Sequence, residues 1–396
     1  MGIAKGLWMR DEERGWSNPR TSVCQACIGN EPFLRSLIRK NLGLQICSYC
    51  SSKRRKAAST SSIMDAVLRG VKYSFNDEAN AGCPYDSEFP IDYFSSEYVL
   101  SQVLDSQGLE WSENLVADVA RAFSNNGWVD APDGDWMGSY RHERLHWSWN
   151  SFSDAVKYRS RFHFHVSNRV RHWGDDLVGI HEMLPFLGRL MRQHRMVRKL
   201  SADLVLHRVR LGLHPTNEAE LGPPPIEMVG AGRMNPAGIP YFYLACNEKT
   251  ALAETRAKPN EPATISAWAP NREINVIDLT KFPMCPSVFS EKRREYDLVQ
   301  FLYAFVEEIS KPIEHDGREH IEYIPTQVVS EYFSQAFQYG GGKRVDGLMY
   351  PSSVIGGGKN LVIFPNAEFS GSHVGLMRLM AARSGRVSEQ RDSVED

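Results

Sequence analysis

The chain has 396 residues, 46 basic and 48 acidic side chains, and a net charge of −2. So even a balance gives no global electrostatic case for nucleic acid or an anionic membrane surface. The length suffices for two domains or more, and no apolar run approaches the ~20 residues of a membrane-spanning helix. Met1–Asp11 lacks the continuous apolar core of a secretory signal. Seven cysteines, four of them in two close pairs, suit a reducing cytoplasm better than a disulfide framework.

Cys24-Gln-Ala-Cys27 and Cys47-Ser-Tyr-Cys50 form C-x2-C-x19-C-x2-C. Each pair can grip one metal from a tight knuckle, and four thiolates close a tetrahedral site. The spacing predicts structural zinc, with iron as the alternative for the same donors. Phe33, Leu34, Leu37, Ile38 and Leu42 recur at helical spacing and predict a short helix between the pairs. Lys53-Arg54-Arg55-Lys56 reads as a solvated linker, with a phosphate-backbone contact as the alternative. Cys83, Cys246 and Cys285 are isolated and read as buried thiols.

Residues 61–198 carry a mainly helical signal. Ile63, Met64, Val67, Leu68 and Val71 mark one amphipathic helix; Leu115, Val116, Val119, Ala120 and Phe123 mark another. A third spans Leu177–Met191, with a bend or break expected at Pro185. Arg141-His142-Glu143-Arg144-Leu145-His146 and Arg159–His165 are charged and histidine-rich, while Trp147 and Trp149 argue for packing. His163, His165 and His172 lack a convincing thiol or carboxylate partner for a metal site.

The basic stretch Gln193–Lys199 marks a boundary. Leu204–Leu211 then reads as a strand with Arg208 and Arg210 on one side. Gly230, Gly232, Asn235, Pro236 and Gly238 punctuate a loop. Ile239–Cys246 reads as a strand with Tyr241, Tyr243 and Ala245 on one face. Asn247 is the expected N-cap of a helix that begins at Glu248 and carries Glu254. Turn, strand and helix thus offer Arg233, Tyr243 and Glu254 from one compact unit. The planar fork of arginine suits phosphate. Tyrosine can stack on a flat heteroaromatic ring and still offer its hydroxyl. A carboxylate can hold ribose hydroxyls and oppose an oxocarbenium-like cation. Phosphate, flat ring and cleavable ribosyl bond together describe a nucleotide such as NAD.

Further on, Ile274–Leu279 reads as a strand, followed by amphipathic helices through Leu298–Ile309 and after Pro325. Val345–Tyr350 and Asn360–Phe364 read as strands. Between them, Ser352 and Ser353 sit at a turn, and Gly356-Gly357-Gly358-Lys359 reads as a hairpin-like loop, since G-x-x-x-x-G-K-[ST] is absent. Ser384–Asp396 reads as a polar, frayed end.

Five blocks in order resemble the RES domain family: L-H-R at Leu206–Arg208, G-R-M-N-P-A-G-I-P-Y-F-Y-L-A at Gly232–Ala245, A-L-A-E at Ala251–Glu254, Y-I-P-T-Q at Tyr323–Gln327, and D-G-L-M-Y-P-S-S at Asp346–Ser353. The resemblance covers roughly Leu200 to Phe364. It implies a fold like that of ADP-ribosyltransferase toxins and, from toxin-antitoxin members, consumption of NAD. Carried over by motif, Arg208 and Arg233 are the family's arginines, Tyr243 its tyrosine and Glu254 its glutamate; its serine is Ser352 or Ser353. The helical segment ahead resembles the HEPN-like regions of larger RES proteins. HEPN ribonucleases place an arginine four to six residues before a histidine on a helix, a spacing met by Arg141 and His146 and again within Arg159–His165. Ordinary packed or surface histidines are the preferred reading of both.

The expected protein is α+β and cytoplasmic. A four-cysteine zinc module covers 1–60, a helical, HEPN-like domain 61–198, an ADP-ribosyltransferase-like α/β RES domain 199–375, and a polar tail 376–396. The expected reaction is cleavage of the nicotinamide–ribose bond of NAD, with phosphate or water as acceptor. Arg233, Tyr243 and Glu254 are the catalytic candidates; Arg208, Arg233, Tyr243, Ser352 and Ser353 the NAD-binding ones; Cys24, Cys27, Cys47 and Cys50 the zinc ligands. ADP-ribosyl transfer to a protein or nucleic acid, nucleotide sensing without turnover, and HEPN-type RNA cleavage are the alternatives. An antitoxin or inhibitor protein and a second copy of the chain are candidate partners; a membrane is not.

Overall fold

The computed structural model describes residues 3–50, 56–78, 80–83, 91–125, 127–165, 177–312, 317–365, 376–390 and 393–395, with side chains from Met9 to Val394. Lys53–Arg55 and His172 lie outside the described residues. The chain divides into two units: Met1–Arg144 with Met284–Gln300, and Leu145–Pro283 with Phe301–Asp396.

In the first unit, α1 (Ile3–Arg14) precedes a small antiparallel sheet. Its strands β1 (Ser22–Val23), β2 (Gln45–Ile46) and β3 (Lys56–Ser59) run in the order β1-β3-β2. The helix between the cysteine pairs is α2 (Pro32–Lys40), capped by the Glu31 carboxylate and buried through Leu34 and Ile38. Leu42 lies past its end and is exposed, since Asn41 already caps the helix. Next come α3 (Ser61–Ser74), a two-stranded ladder of β4 (Phe75–Asn76) and β5 (Val129–Asp130), α4 (Ser96–Ser106) and α5 (Glu113–Ala122). Ser95 and Ser112 cap α4 and α5 by accepting from Tyr98 N and Leu115 N, satisfying N–H groups that a helix start leaves unpaired. The predicted stripes of α3 and α5 are buried together with Val99, Leu100, Val103 and Leu104 of α4. Val288 and Phe289, more than 200 positions beyond α3, belong to the same core and need Gly70: a Cβ there would stand 2.4 Å from the Phe289 ring.

Residues 145–158 of α6 (Arg141–Tyr158) open the second unit. The later histidines, His163 and His165, lie in bends and turns, so the Arg159–His165 spacing is not on a helix. A 3-10 turn at Ile180–Glu182 leads into α7 (Met183–Gln193). Pro185 is the third residue of α7, where the N–H has no intrahelical acceptor to lose; the expected break is absent for that reason.

The body of this unit is a nine-stranded sheet of β6 (Val197–Leu200), β7 (Leu206–Leu211), β8 (Phe242–Ala245), β9 (Pro262–Pro270), β10 (Ile274–Asp278), β11 (Gly347–Pro351), β12 (Lys359–Ile363), β13 (Met377–Val387) and β14 (Val394–Glu395). The order is β14-β13-β9-β7-β8-β12-β11-β10-β6. Pairing is antiparallel except between β10 and β11. Two short helices, α8 (Glu218–Leu221) and α9 (Glu248–Thr255), flank β8 in sequence. Between β10 and β11 run α10 (Arg293–Ser310), α11 (Glu319–Glu322) and α12 (Ile324–Gln335).

The strand expected at 239–246 is limited to β8, because Pro240 has no N–H to donate and the Ile239 carbonyl accepts from Asn235. The end at Ser384–Asp396, expected to fray, is paired: Ser384–Arg386 lie along Pro262–Thr264, and Val394–Glu395 pair with Arg386–Val387. Met377–Arg386 pairs with Pro262–Pro270, and Arg383 makes two hydrogen bonds to Glu248. Backbone pairing holds a strand that is exposed at Met380, Ala381, Arg383 and Arg386.

Candidate active site

A fork in the sheet makes the cleft. β7 pairs with β9 through six residues and β8 with β12 through four, but β7 and β8 share the single pair His207↔Ala245. Arg208 follows that pair. Its Nη1 approaches the Tyr243 carbonyl at 3.5 Å, and its guanidinium lies 5.2 Å from the centre of the Phe242 ring. Among the described residues no carboxylate pairs with it. Burial, then the neighbouring Arg210, lowers its pKa to about 10, against a raising influence of Tyr243. Arg210 itself donates to the Gly222 carbonyl at 2.7 Å and does not line the cleft.

Directly opposed residues of antiparallel strands share a face. His207 opposes Ala245, Ala245 opposes Asn360, and Asn360 opposes Tyr350. This row crosses four strands and floors a cleft of about 350 Å³. Arg208, Arg233, Tyr243, Glu254, Ser353 and Tyr323 also line it.

The loop that carries Arg233 is fastened on both sides. Asn235 Nδ2 donates to the carbonyls of Gly230, Pro236 and Ile239. The Y-I-P-T-Q block reaches in from α12: Thr326 Oγ1 donates to the Arg233 carbonyl and Gln327 Nε2 to the Gly232 carbonyl. Gly232 is required by close approach, since a Cβ there would meet Asn235 Oδ1 at 2.5 Å and the Tyr243 hydroxyl at 2.9 Å. Arg233 Nη1 donates to Ile309 O at 3.1 Å and Lys311 O at 2.8 Å, carbonyls at the end of α10. Its guanidinium lies 5.6 Å from the Tyr323 ring centre.

Tyr243 lines the cleft, but its hydroxyl is already committed. It donates to Asn235 Oδ1 at 2.7 Å and accepts from Met234 N at 3.0 Å. Burial pushes its pKa up, and Tyr350 is pushed up for the same reason. Only the ring of Tyr243 remains for stacking.

Glu254 sits on α9, whose N-cap is Asn247 as the sequence predicts; Asn247 Oδ1 accepts from Thr250 N at 2.8 Å. Ser352 Oγ donates to Glu254 Oε1 at 2.6 Å, and Asn360 Nδ2 donates to the same oxygen at 2.7 Å. Glu254 Oε2 has no hydrogen-bond partner among the described residues. The serine doublet is thereby divided: Ser352 orients the carboxylate, and Ser353 lines the cleft. Asn360, Tyr323, Tyr350 and His207 carry no assigned role in the sequence reading, although Tyr323 and Tyr350 lie in the Y-I-P-T-Q and D-G-L-M-Y-P-S-S blocks. His207 had a signal, being the middle of L-H-R. Burial lowers its pKa, opposed by Glu248, whose Oε1 lies 3.8 Å from Nδ1.

The four cysteines converge in the first unit. Sulfur separations are 3.7 Å for Cys24–Cys27, 3.8 Å for Cys24–Cys50 and 3.7 Å for Cys27–Cys47, and all four lie within 4.8 Å of one another. A tetrahedron of Zn–S bonds has edges of about 3.8 Å, so the donor set fits one zinc ion. Cys83, Cys246 and Cys285 are free and partly buried.

Arg141 and His146 both lie on α6, but five residues turn a helix through about 140° past one revolution, so the two side chains do not share a face. His142 is engaged instead: its Nδ1 lies 3.1 Å from Asp297 Oδ1, which also accepts from the Tyr73 hydroxyl at 2.6 Å. Among the described residues no helix is long and apolar enough to cross a membrane.

Residues 205–378 match the family model described as RES domain, and residues 40–170 match that described as HEPN/RES N-terminal domain 1. No curated protein matches the chain. Among solved structures, that of the M. tuberculosis MbcT-MbcA toxin-antitoxin complex is similar at 16% identity, covering 50% of this chain and 91% of that chain, with a TM-score of 0.27. The chain thus carries a RES domain, with HEPN/RES N-terminal domain 1 ahead of it.

Proposed function

We propose that the second unit cleaves the nicotinamide–ribose bond of NAD, transferring the ADP-ribosyl group to water or phosphate. One observation carries this reading: Arg208, Arg233, Tyr243 and Glu254 meet at one cleft, and two donors, Ser352 and Asn360, fix the Glu254 carboxylate. A carboxylate held by neutral donors keeps its negative charge in a set orientation. It is suited to oppose the positive charge that grows on the ribose as nicotinamide departs. The ring of Tyr243 offers the stacking surface, and the two arginines supply charge-assisted donors for the pyrophosphate. Hydrolysis would yield nicotinamide, ADP-ribose and a proton; phosphorolysis would place phosphate on the anomeric carbon instead. An ADP-ribosyltransferase-like fold and an antitoxin or inhibitor partner are part of the same reading.

The test is NAD loss with product mass, using purified protein with and without phosphate and candidate acceptors. Nicotinamide release with ADP-ribose or its phosphate is expected. Stable NAD under all these conditions would leave the cleft as a nucleotide sensor.

For the first unit we infer one structural zinc held by Cys24, Cys27, Cys47 and Cys50. Four thiolates leave no open position, so the metal would supply folding free energy and no chemistry.

A further inference from the structure

Beside the cleft at the sheet fork lies a second one, of about 570 Å³. Both are lined by residues of the second unit alone, and they share Arg233 and Pro312. Arg233 therefore stands on the ridge between them, steadied by the Ile309 and Lys311 carbonyls. The first cleft, at about 350 Å³, is near the lower end of the range for sites that enclose a drug-sized ligand. Its functional groups serve a ring, a ribose and phosphate, which is one half of a dinucleotide.

One wall of the second cleft is α6. Asn150, Ser153, Asp154 and Lys157 follow the i, i+3, i+4, i+7 spacing of a single helix face, and all four line it. They fall within the match to HEPN/RES N-terminal domain 1 and outside the match to the RES domain. Asn150 offers an amide with both donors and an acceptor, the requirement for a heteroaromatic base edge. Asp154 is exposed and has no ion-pair partner among the described residues; a carboxylate can accept from both hydroxyls of a ribose. Lys157 is paired with Glu322 at 2.6 Å. The charged lining is nearly balanced, four cations against three carboxylates. That balance fits an uncharged nucleoside better than a free anion.

We propose that the second cleft seats the adenosine half of NAD, with the pyrophosphate crossing the ridge at Arg233. The N-terminal domain thereby contributes part of the substrate site through α6. This rests on reading the first cleft as the nicotinamide-riboside site.

Nicotinamide mononucleotide, which has the same scissile bond but no adenosine, separates the two readings. The experiment measures kcat/KM for NAD and for nicotinamide mononucleotide with the full chain, Ser153→Trp and Asp154→Ala. The wild-type chain should favour NAD. Ser153→Trp, which fills the cleft, should lower kcat/KM for NAD at least tenfold and leave the mononucleotide value unchanged. Asp154→Ala should act in the same direction more weakly. The unchanged mononucleotide rate reports that each variant is folded. An equal loss for both substrates, or no loss for NAD in either variant, overturns the proposal. A wild-type chain that cleaves neither compound sinks the reading of the first cleft and this one with it.

Discussion

Replacing Glu254 with glutamine separates charge from shape. Both donors to this side chain, Ser352 Oγ at 2.6 Å and Asn360 Nδ2 at 2.7 Å, bond to the one oxygen Oε1. A glutamine can present its carbonyl oxygen to the same two donors, with its amide nitrogen in place of Oε2. Neither hydrogen bond is lost, so fold stability and NAD binding should change little. What disappears is the negative charge opposing the ribosyl cation. Fixed electrostatic groups of this kind are worth about 2.7–4 kcal/mol in the transition state, or roughly 10²–10³ in rate. Asn360→Ala makes the complementary change. It keeps the charge but removes one charge-assisted donor, a loss of about 1.5–3 kcal/mol of orientation. Single-turnover NAD cleavage, direct NAD binding and thermal melting should be measured on each variant. A Glu254→Gln chain that binds NAD and cleaves it at the wild-type rate would refute the electrostatic role of this carboxylate.

Tyr243→Phe should keep the stacking face but strip Met234 N and Asn235 Oδ1 of their partner. Chemical denaturation should show a loss of about 1–3 kcal/mol, with Tyr243→Ala additionally losing activity; an unchanged midpoint for Phe would contradict the anchoring role. Elemental analysis of freshly purified protein should find one zinc per chain, and Cys47→Ser should lose the metal and destabilise the first unit; native protein free of stoichiometric metal would rule the site out. His207 has a lowered folded pKa, chiefly through burial. Its contribution to stability is therefore complete above its unfolded pKa of about 6.5 and declines as pH falls below that value; His207→Gln should flatten this part of the stability–pH curve, and an unaltered curve would remove the assignment.

Local signals in the sequence carried much of the site. The glycine- and asparagine-punctuated loop, the Asn247 cap and the hairpin after β11 depend on neighbours within a few positions, and each was legible in the sequence. Asn360 was not. Its role follows from lying opposite Ala245 and Tyr350 in three paired strands, and strand register is a long-range property. The commitment of the Tyr243 hydroxyl was hidden likewise, since it depends on a loop folding back to bring Asn235 alongside. β13 was missed because Arg378, Arg383 and Arg386 interrupt its apolar pattern, although its backbone pairs along β9. Val288 and Phe289 gave an apolar signal too brief to reveal that they join a core formed by α3, α4 and α5.

Arg208 brings function and stability into opposition. Its guanidinium is half-buried at the fork between β7 and β8, near Arg210, and has a long contact to the Tyr243 carbonyl in place of an ion pair. Burial lowers its pKa to about 10, a direction that means the charged form is disfavoured in the folded protein. A half-buried cation without a carboxylate weakens a fold unless a ligand completes it. An anionic pyrophosphate would do so. Arg208→Met keeps the length and apolar packing of the side chain and removes the charge. In the absence of ligand its melting temperature should equal or exceed that of the wild type. Added ADP should raise the wild-type melting temperature and leave that of Arg208→Met nearly unmoved, because ligand-linked stabilisation scales with affinity. A variant that melts several degrees lower yet keeps the full ADP-dependent rise would show that Arg208 is a structural residue and that the anion binds elsewhere.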